Sequence, residues 1–365
     1  MPFVRQNIYY WKCDRAAAFH GTSQNAEVRE RPELQSQLAA ALARRFKGDV
    51  RDLRPAGGQG NHLTFLAVLG GREAFIRIED GPEQDDYLKV ESAVLATVNL
   101  AGVPTPRVYA VDAGRSEVPF AWQVLERIPC PDLNQLHKDG RLGLAPVARQ
   151  IGALVARWQD VAPAGFGPFR TDFLDAHDQL AGYHGRYADY YHTALERHLT
   201  FLVDRAFLAA AEADAIRAEI ARHASLLALP SGCLVHKDLA LWNILGTPER
   251  IAAVIDWDDC IAGDPMDDLS LLGCFYDGAV LREAFAGYAA ARPLPPEYRR
   301  RFWLHLLRNM LVKAVIRVGA GYFDLGGGFF LLGPGSTGAD LRQFTAARIR
   351  AALHGLQNSL DPESL

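Results

Sequence analysis

The sequence predicts an α+β chain of two lobes, a β-rich N-terminal lobe with one long helix and a larger, mostly helical C-terminal lobe. Three observations carry this. Residues 49–79 hold short runs that read as strands, separated by a glycine-rich loop and a Gly-Gly turn. Most of the chain past residue 131 instead repeats apolar residues at helical spacing. Pro129 and Pro131 stand between the two textures as a hinge, and 365 residues exceed what one compact core usually holds.

Residues 1–33 show no period, only an aromatic cluster of Tyr9, Tyr10, Trp11 and Phe19, and are expected to form an arm packed on the body. Leu34, Leu38, Leu42 and Phe46 recur every fourth residue and predict a helix over 32–46. Residues 49–54 and 62–69 read as strands, and Gly70-Gly71 turns the second into a third over 73–78. Between the first two lies Gly57-Gly58-Gln59-Gly60-Asn61, a run that tolerates positive φ. Pro82 is expected to open the lobe's long helix, which carries Tyr87, Leu88, Val94, Leu95 and Val98 on one face and stops at Gly102 and Pro104. Strands follow at 107–112 and 120–127. In the second lobe Val147, Ile151, Leu154, Val155 and Trp158 mark a helix, 172–226 reads as further helices, and 233–256 as a short β-like interruption. Helices resume from 266 to 318, and a glycine-rich loop at 326–338 precedes a last helix over 339–356. The expected division is an arm and helix at 1–47, a β-rich N-terminal lobe at 48–128 and a helical lobe at 129–365.

Composition narrows the function. Hydrophobic residues at 49% and charged residues at 22% suit a globular chain and argue against disorder. A formal net charge of −4 argues against a nucleic-acid partner, which would call for a basic excess. Cys13, Cys130, Cys233, Cys260 and Cys274 are scattered without a CxxC pair, as expected of reduced cysteines in a cytoplasmic protein. The first residues lack the apolar run of a signal peptide, and no stretch is apolar enough to span a bilayer, so no membrane partner is expected.

The chemistry lies between residues 234 and 258. His236-Lys237-Asp238 is followed by Asn243 and then, after an apolar strand, by Asp256-Trp257-Asp258. Apolar residues bracket each polar cluster, as in short buried strands that present loops at their ends. The set brings two carboxylates and one amide oxygen to a common point. Phosphoryl transfer requires such a set: one carboxylate to orient the acceptor hydroxyl and take its proton, and oxygen ligands to hold Mg²⁺. Asp238 fits the first role, and Asn243 and Asp256 the second. Capping of turns is the commoner use of Asp and Asn, but it does not account for the ordered set H-x-D-x4-N, strand, D.

This stretch resembles the catalytic loop of the aminoglycoside phosphotransferase and choline kinase group, a branch of the protein-kinase-like fold. Ile255-Asp256-Trp257-Asp258-Asp259 with Gly263-Asp264-Pro265-Met266-Asp267-Asp268-Leu269 is similar to that group's IDW…GDP…DL signature, and Gly165-Phe166-Gly167-Pro168-Phe169 is similar to a stretch of hygromycin-kinase-like members. The resemblance covers roughly residues 48–275. It implies an ATP- and Mg²⁺-dependent small-molecule kinase in which Asp268 braces the catalytic loop. His236 is expected to be a structural hydrogen-bonding residue. Lys237, where related enzymes often have a small residue, is expected to be solvated, with contact to the γ-phosphate as the alternative.

A kinase also needs a cation on the third strand paired with a glutamate on the following helix. Arg77 lies on that strand, and Glu91 falls on the apolar face of the helix, where an unpaired carboxylate would be costly. Arginine replaces the commoner lysine, as choline-kinase-like members allow. Gly58, Gly60 and Asn61 would cover the phosphates, and the hinge near Glu126 and Ile128 would receive adenine. No Walker GK[ST] follows the glycines, and no DFG or APE accompanies Asp256, which argues against P-loop enzymes and protein kinases. Neither GxSxG nor HExxH occurs, which leaves a hydrolase without a nucleophile motif.

Substrate candidates are Asp258, Asp259 and Tyr276, with Asp172, Phe173, Asp175, Tyr183, Tyr187, Tyr190, Asp277, Tyr322 and Asp324 as further candidates. Carboxylates and rings suit a hydroxylated, cationic small molecule. An aminoglycoside-like acceptor leads. An amino sugar, cyclitol, sugar or choline-like amino alcohol is the alternative, and a non-catalytic nucleotide-binding scaffold the alternative of another class.

Overall fold

The computed structural model describes residues 4–15, 18, 31–56, 62–327 and 335–365. An arm with a single helical turn, α1 (Trp11–Asp14), precedes α2 (Pro32–Arg45). Five antiparallel strands then form one sheet: β1 (Val50–Pro55), β2 (Leu63–Leu69), β3 (Arg72–Glu79), β4 (Val108–Asp112) and β5 (Ala121–Glu126), in the order β1-β2-β3-β5-β4. Helix α3 (Leu88–Leu100) connects β3 to β4.

The period-two pattern decides what each face of this sheet meets. Leu63, Phe65, Ala67 and Leu69 of β2, with Ile76 and Ile78 of β3, pack with Leu34, Leu38 and Leu42 of α2 in a core of their own. The alternate residues face α3: Arg77 reaches Glu91, and Gln123, opposite Arg77 on β5, donates to Ser92 Oγ at 2.8 Å.

The long helix does not open at Pro82. Residues 80–87 are irregular and α3 begins at Leu88. Gln84 has φ +50°, which an α-helix cannot accommodate, and Asp85 is drawn out of line by an ion pair with Arg5.

The second lobe holds α4 (Leu133–Lys138), α5 (Leu144–Trp158), β6 (Phe166–Phe169), α6 (Thr171–His177), β7 (Gly182–His184), α7 (Tyr187–His192), α8 (Leu195–Asp204) and α9 (Ala210–Arg222). After these come β8 (Cys233–Val235), β9 (Ile244–Gly246), β10 (Ile251–Val254) and β11 (Ile261–Gly263). The chain ends with α10 (Asp267–Gly273), α11 (Gly278–Ala291), α12 (Tyr298–Gly319) and α13 (Gly338–Asn358). Among the described residues no helix is long and apolar enough to cross a membrane.

A small sheet in the order β7-β6-β11-β8 sits inside this lobe, where the helical reading of 172–226 left no room for β7. Its glycines explain the close fit. Gly167 has φ +79°, and a Cβ there would press on Tyr190 and His184; a Cβ on Gly182 would overlap the Phe166 backbone. Strand β11 leads directly into Asp264, Asp267 and Asp268, so this sheet sets the position of the residues beneath the loop 236–243.

Helices α5 and α11 cross with their backbones almost touching. A Cβ on Gly152 would overlap the Ala284 carbonyl, and one on Gly287 the Arg149 carbonyl. This reciprocal crossing seats the end of α5, where Trp158 is fully buried. Gly152→Ala is expected to force the helices apart and cost about 1–3 kcal/mol, read as a lower denaturation midpoint at unchanged m-value; an unshifted midpoint would refute the close crossing.

Candidate active site

The loop 236–243 between β8 and β9 is held from beneath by one carboxylate. Asp268 Oδ2 accepts from His236 N at 2.9 Å and from Trp158 Nε1 at 3.0 Å, while Oδ1 accepts from Lys237 N at 3.1 Å. His236 supports the loop from the side. Its Nδ1 accepts from Asp238 N at 3.3 Å, so the proton lies on Nε2, which donates to Ile255 O at 2.9 Å. Its ring packs 4.5 Å from that of Trp257.

Neither expectation for Lys237 fits the structure. With φ +70° its side chain turns inward and is 1% exposed. The ammonium donates to Asp267 Oδ2 at 2.8 Å and Oδ1 at 3.1 Å, to Asn309 Oδ1 at 3.0 Å and to Tyr9 Oη at 3.1 Å. Asp267 is fully buried and needs a counter-charge, which this lysine supplies.

Asp238 is buried, and three of its four side-chain contacts come from distant parts of the chain. Oδ1 accepts from Tyr10 Oη at 2.7 Å and Lys313 Nζ at 3.1 Å; Oδ2 accepts from Asn243 Nδ2 at 3.2 Å and lies 3.5 Å from Lys12 Nζ. Burial alone would raise its carboxyl, but Lys12, Lys313 and the Tyr10 hydrogen bond outweigh it and hold the group well below the usual carboxylate range. Asn243 Nδ2 also donates to Asp238 O at 2.8 Å, which leaves Oδ1 as the amide's acceptor atom.

Asp256 follows β10 with φ +65° and keeps a side chain 36% exposed. Its Oδ1 lies 2.9 Å from Arg77 Nη2. Arg77 is buried, paired with Glu91 through Nη1 and 2.6 Å from His62 Nδ1 through Nη2. Glu91 Oε1 also accepts from Trp257 N at 3.1 Å, so the pair ties the sheet, α3 and the segment after β10 together. Burial and the Arg77 charge push His62 well below its ordinary value, so it is neutral. Burial, with the neighbouring Asp258 charge, pushes the Asp256 carboxyl up.

The proposed acceptor residues part company here. Asp259 is buried beside Asp258 and Asp238, which with burial raise it to about 7 despite Lys12. Asp258 is turned toward the Arg77 guanidinium and the neutral His62 ring, with Oδ2 3.6 Å from Arg77 and 3.8 Å from His62. Tyr276 lies behind the loop, lining a small apolar cavity with Leu144, Val147, Ile151, Leu241 and Val280. Tyr187 and Tyr190 are core residues, Asp172 pairs with Arg170, Asp175 with Lys89, and Asp277 caps α11. At the hinge, Glu126 N donates to Arg107 O at 2.8 Å and Ile128 O accepts from Cys130 N at 2.9 Å. Gly58, Gly60 and Asn61 lie outside the described residues, as does Phe19.

Tyr10, Lys12, Lys313, His62 and Arg5 were not among the expected site residues. Tyr10 lies 228 residues from Asp238 and Lys313 75 residues from it, so no local pattern announces them. The arm that brings Tyr10 and Lys12 is anchored by Asp14, which accepts from Tyr9 N and Tyr10 N at 3.0 Å each, from His198 Nε2 at 2.8 Å and from Arg197 Nη2 at 2.5 Å. Cys13, Asp14 and His198 have metal-like spacing. However, His198 Nδ1 accepts from Arg308 at 3.0 Å, which places its proton on Nε2 toward Asp14 and explains the trio as hydrogen bonding.

The model of the phosphotransferase enzyme family matches residues 52–304. No curated protein sequence matches the chain. Among solved structures, aminoglycoside phosphotransferase APH(4)-Ia is similar at TM-score 0.62 and 19% identity, covering 88% of this chain and 98% of that one. A putative fructosamine-3-kinase from Haemophilus somnus 129PT is similar at TM-score 0.60 and 14% identity, covering 88% and 100%. The macrolide 2'-phosphotransferase MphH from Brachybacterium faecium reaches TM-score 0.56 at 19% identity, covering 89% and 98%. Thermostable mutants of APH(4)-Ia have been crystallised as ternary complexes of hygromycin B with ADP or AMP-PNP.

Two outcomes are expected of this geometry. Lys237→Met leaves Asp267 buried without its counter-charge and should cost about 3–5 kcal/mol. Adding Asp267→Asn should recover much of that loss in a urea titration; no recovery would show that the pair is not what the single variant breaks.

The second outcome concerns pH. Burial would raise Asp14, but His198, the Tyr10 N–H and Arg197 hold it at about 2, below its ordinary 3.8. A depressed carboxylate contributes stability above its unfolded pKa and loses it as pH falls through the folded one. The advantage of the wild type over Asp14→Asn should therefore be full, roughly 2 kcal/mol, above about pH 4 and shrink as pH falls toward about 2. A pH-independent difference would assign the anchor to packing alone.

Proposed function

The chain belongs to the phosphotransferase enzyme family and is a small-molecule kinase, and from that premise we propose that it uses ATP and Mg²⁺ to phosphorylate a hydroxyl of a small polar molecule, with Asp238 as the base. The observation that carries this is the O–H donor already resting on Asp238: Tyr10 Oη sits 2.7 Å from Oδ1. A buried carboxylate that accepts from a hydroxyl at this distance is placed to orient an acceptor and take its proton.

The donor half of the reading rests on charge. Glu91, Asp256 and Asp258 crowd a single guanidinium, Arg77, while the nearby His62 is neutral. This acidic surplus, with hard oxygen atoms on Asn243 and Asp256, fits a divalent cation of the Mg²⁺ type. When bound there, the ion would supply positive charge against the transferring phosphoryl group. Arg77, fixed by Glu91, would face the α- and β-phosphates, and Asp268 would keep the loop that carries Asp238 in register.

For the acceptor, the likeness to proteins crystallised with hygromycin B supports an aminoglycoside-like compound. A second reading is a metabolic kinase for an amino sugar, cyclitol, sugar or choline-like amino alcohol, and the charges around Asp238 favour its uncharged members, the cyclitols and sugars. Lys12 and Lys313 flank it, whereas Asp172, Asp175 and Asp189 are engaged by Arg170, Lys89 and Arg186. Cationic acceptors gain little from such a centre.

ADP release measured across aminoglycosides, amino sugars, cyclitols, sugars and amino alcohols separates the two. If none of them raises ADP release and Asp238→Asn changes nothing, the protein is a silent nucleotide-binding scaffold. Asp256→Ala is expected to lose Mg²⁺-dependent nucleotide binding. Asp238→Asn should keep that binding and lose about 10²–10⁴-fold in turnover. Equal loss of binding in both would overturn this division of labour.

A further inference from the structure

The N-terminal arm is built into the catalytic centre. The Arg5 guanidinium lies between the rings of Trp11 and Tyr87, 4.0 and 3.7 Å from their centroids. It pairs with Asp85 and donates to Asp258 O at 2.7 Å. Tyr9 stacks on Tyr190 at 4.9 Å, with the Arg308 guanidinium 3.6 Å from its ring. The Asp14 carboxylate clamps the backbone of Tyr9 and Tyr10 between these anchors.

Tyr10 is thereby aimed at one point. Its side chain is 3% exposed and its hydroxyl donates to Asp238 Oδ1. Lys313 lies 4.9 Å from its ring and Lys12 approaches the other carboxylate oxygen. This is the relation an acceptor hydroxyl must have to a general base, and two ammonium groups stand ready for the charge a transferred phosphoryl would bring. A tyrosine that only filled space would not need its hydroxyl on the catalytic carboxylate.

We propose that Tyr10 is this enzyme's own phosphoryl acceptor, an inference that rests on the reading of Asp238 as the base. Tyr10 Oη attacks the γ-phosphorus of ATP bound to the same chain. The Oη–P bond forms as the bond from that phosphorus to the β,γ-bridging oxygen breaks. ADP leaves with the electron pair, and the phenolic proton passes to Asp238. The product is a phosphotyrosine whose dianion is repelled by the carboxylate it faced and attracted by Lys12 and Lys313.

The test uses the full chain with Mg²⁺ and ATP and no small-molecule acceptor, followed by intact-protein and peptide mass spectrometry. Up to one phosphate per chain is expected on Tyr10, at a first-order rate independent of protein concentration, and lost in Tyr10→Phe and in Asp238→Asn. Thermal shift with Mg²⁺ and AMP-PNP checks that each variant is folded and binds nucleotide. Unmodified Tyr10 in a wild type that AMP-PNP stabilises overturns the inference and leaves the kinase reading standing. So does phosphate on another residue alone, transfer between chains, or label that survives Asp238→Asn. A wild type that AMP-PNP does not stabilise removes both.

Discussion

One carboxylate holds the loop 236–243 in place. Asp268 gathers the N–H groups of His236, Lys237 and the Trp158 indole, three donors that would otherwise be buried without partners. The three donors serve two tasks. The first two fix the turn that aims Asp238, and the third locks the end of α5 to the start of α10. The glycine crossing of α5 and α11 and the small sheet that delivers β11 both serve to bring these groups within reach of that side chain. The loop's conformation is thus imposed from beneath.

A second network joins the lobes. Arg77 bridges Glu91 on α3 and Asp256 beyond β10, and Arg5 from the arm joins Asp85 to the backbone of Asp258. Both arginines are buried and held ionised by the carboxylates around them. Buried ion pairs of this kind contribute little net stability, but they penalise any arrangement that separates the partners. They define which relative placement of the lobes is allowed.

How much of this could be read from the residues depended on the range of the interaction. The N-terminal sheet follows from alternation within β2 and β3, and Arg77 with Glu91 from the cost of a carboxylate on an apolar helix face. The ordered acids of 238–256 are visible because their chemistry is local. Where distant partners decide, the pattern misled. Gln84 takes a positive φ and Asp85 is drawn to Arg5, so Pro82 opens no helix. Lys237 is buried because Asp267 and Asn309 await it, 30 and 72 residues away. The arm's aromatic residues look like surface packing until Tyr10 is found on Asp238, since nothing within residues 1–33 encodes that destination.

The four contacts to Asp238 also bear on how the molecule is made. They come from residues 10, 12, 243 and 313, so the arm and a much later helix close on the same carboxylate. During translation the arm emerges long before the acid it will meet. A nascent chain that has already displayed its N-terminal sheet still lacks Lys313 and Asn309, and with them the seat for Lys237 and Tyr9. The surroundings of Asp238 cannot close until α12 has been made. A chain that stops short of α12 would therefore retain the N-terminal sheet and lack the groups that hold Asp238 and Lys237, which separates formation of the first lobe from completion of this loop's environment.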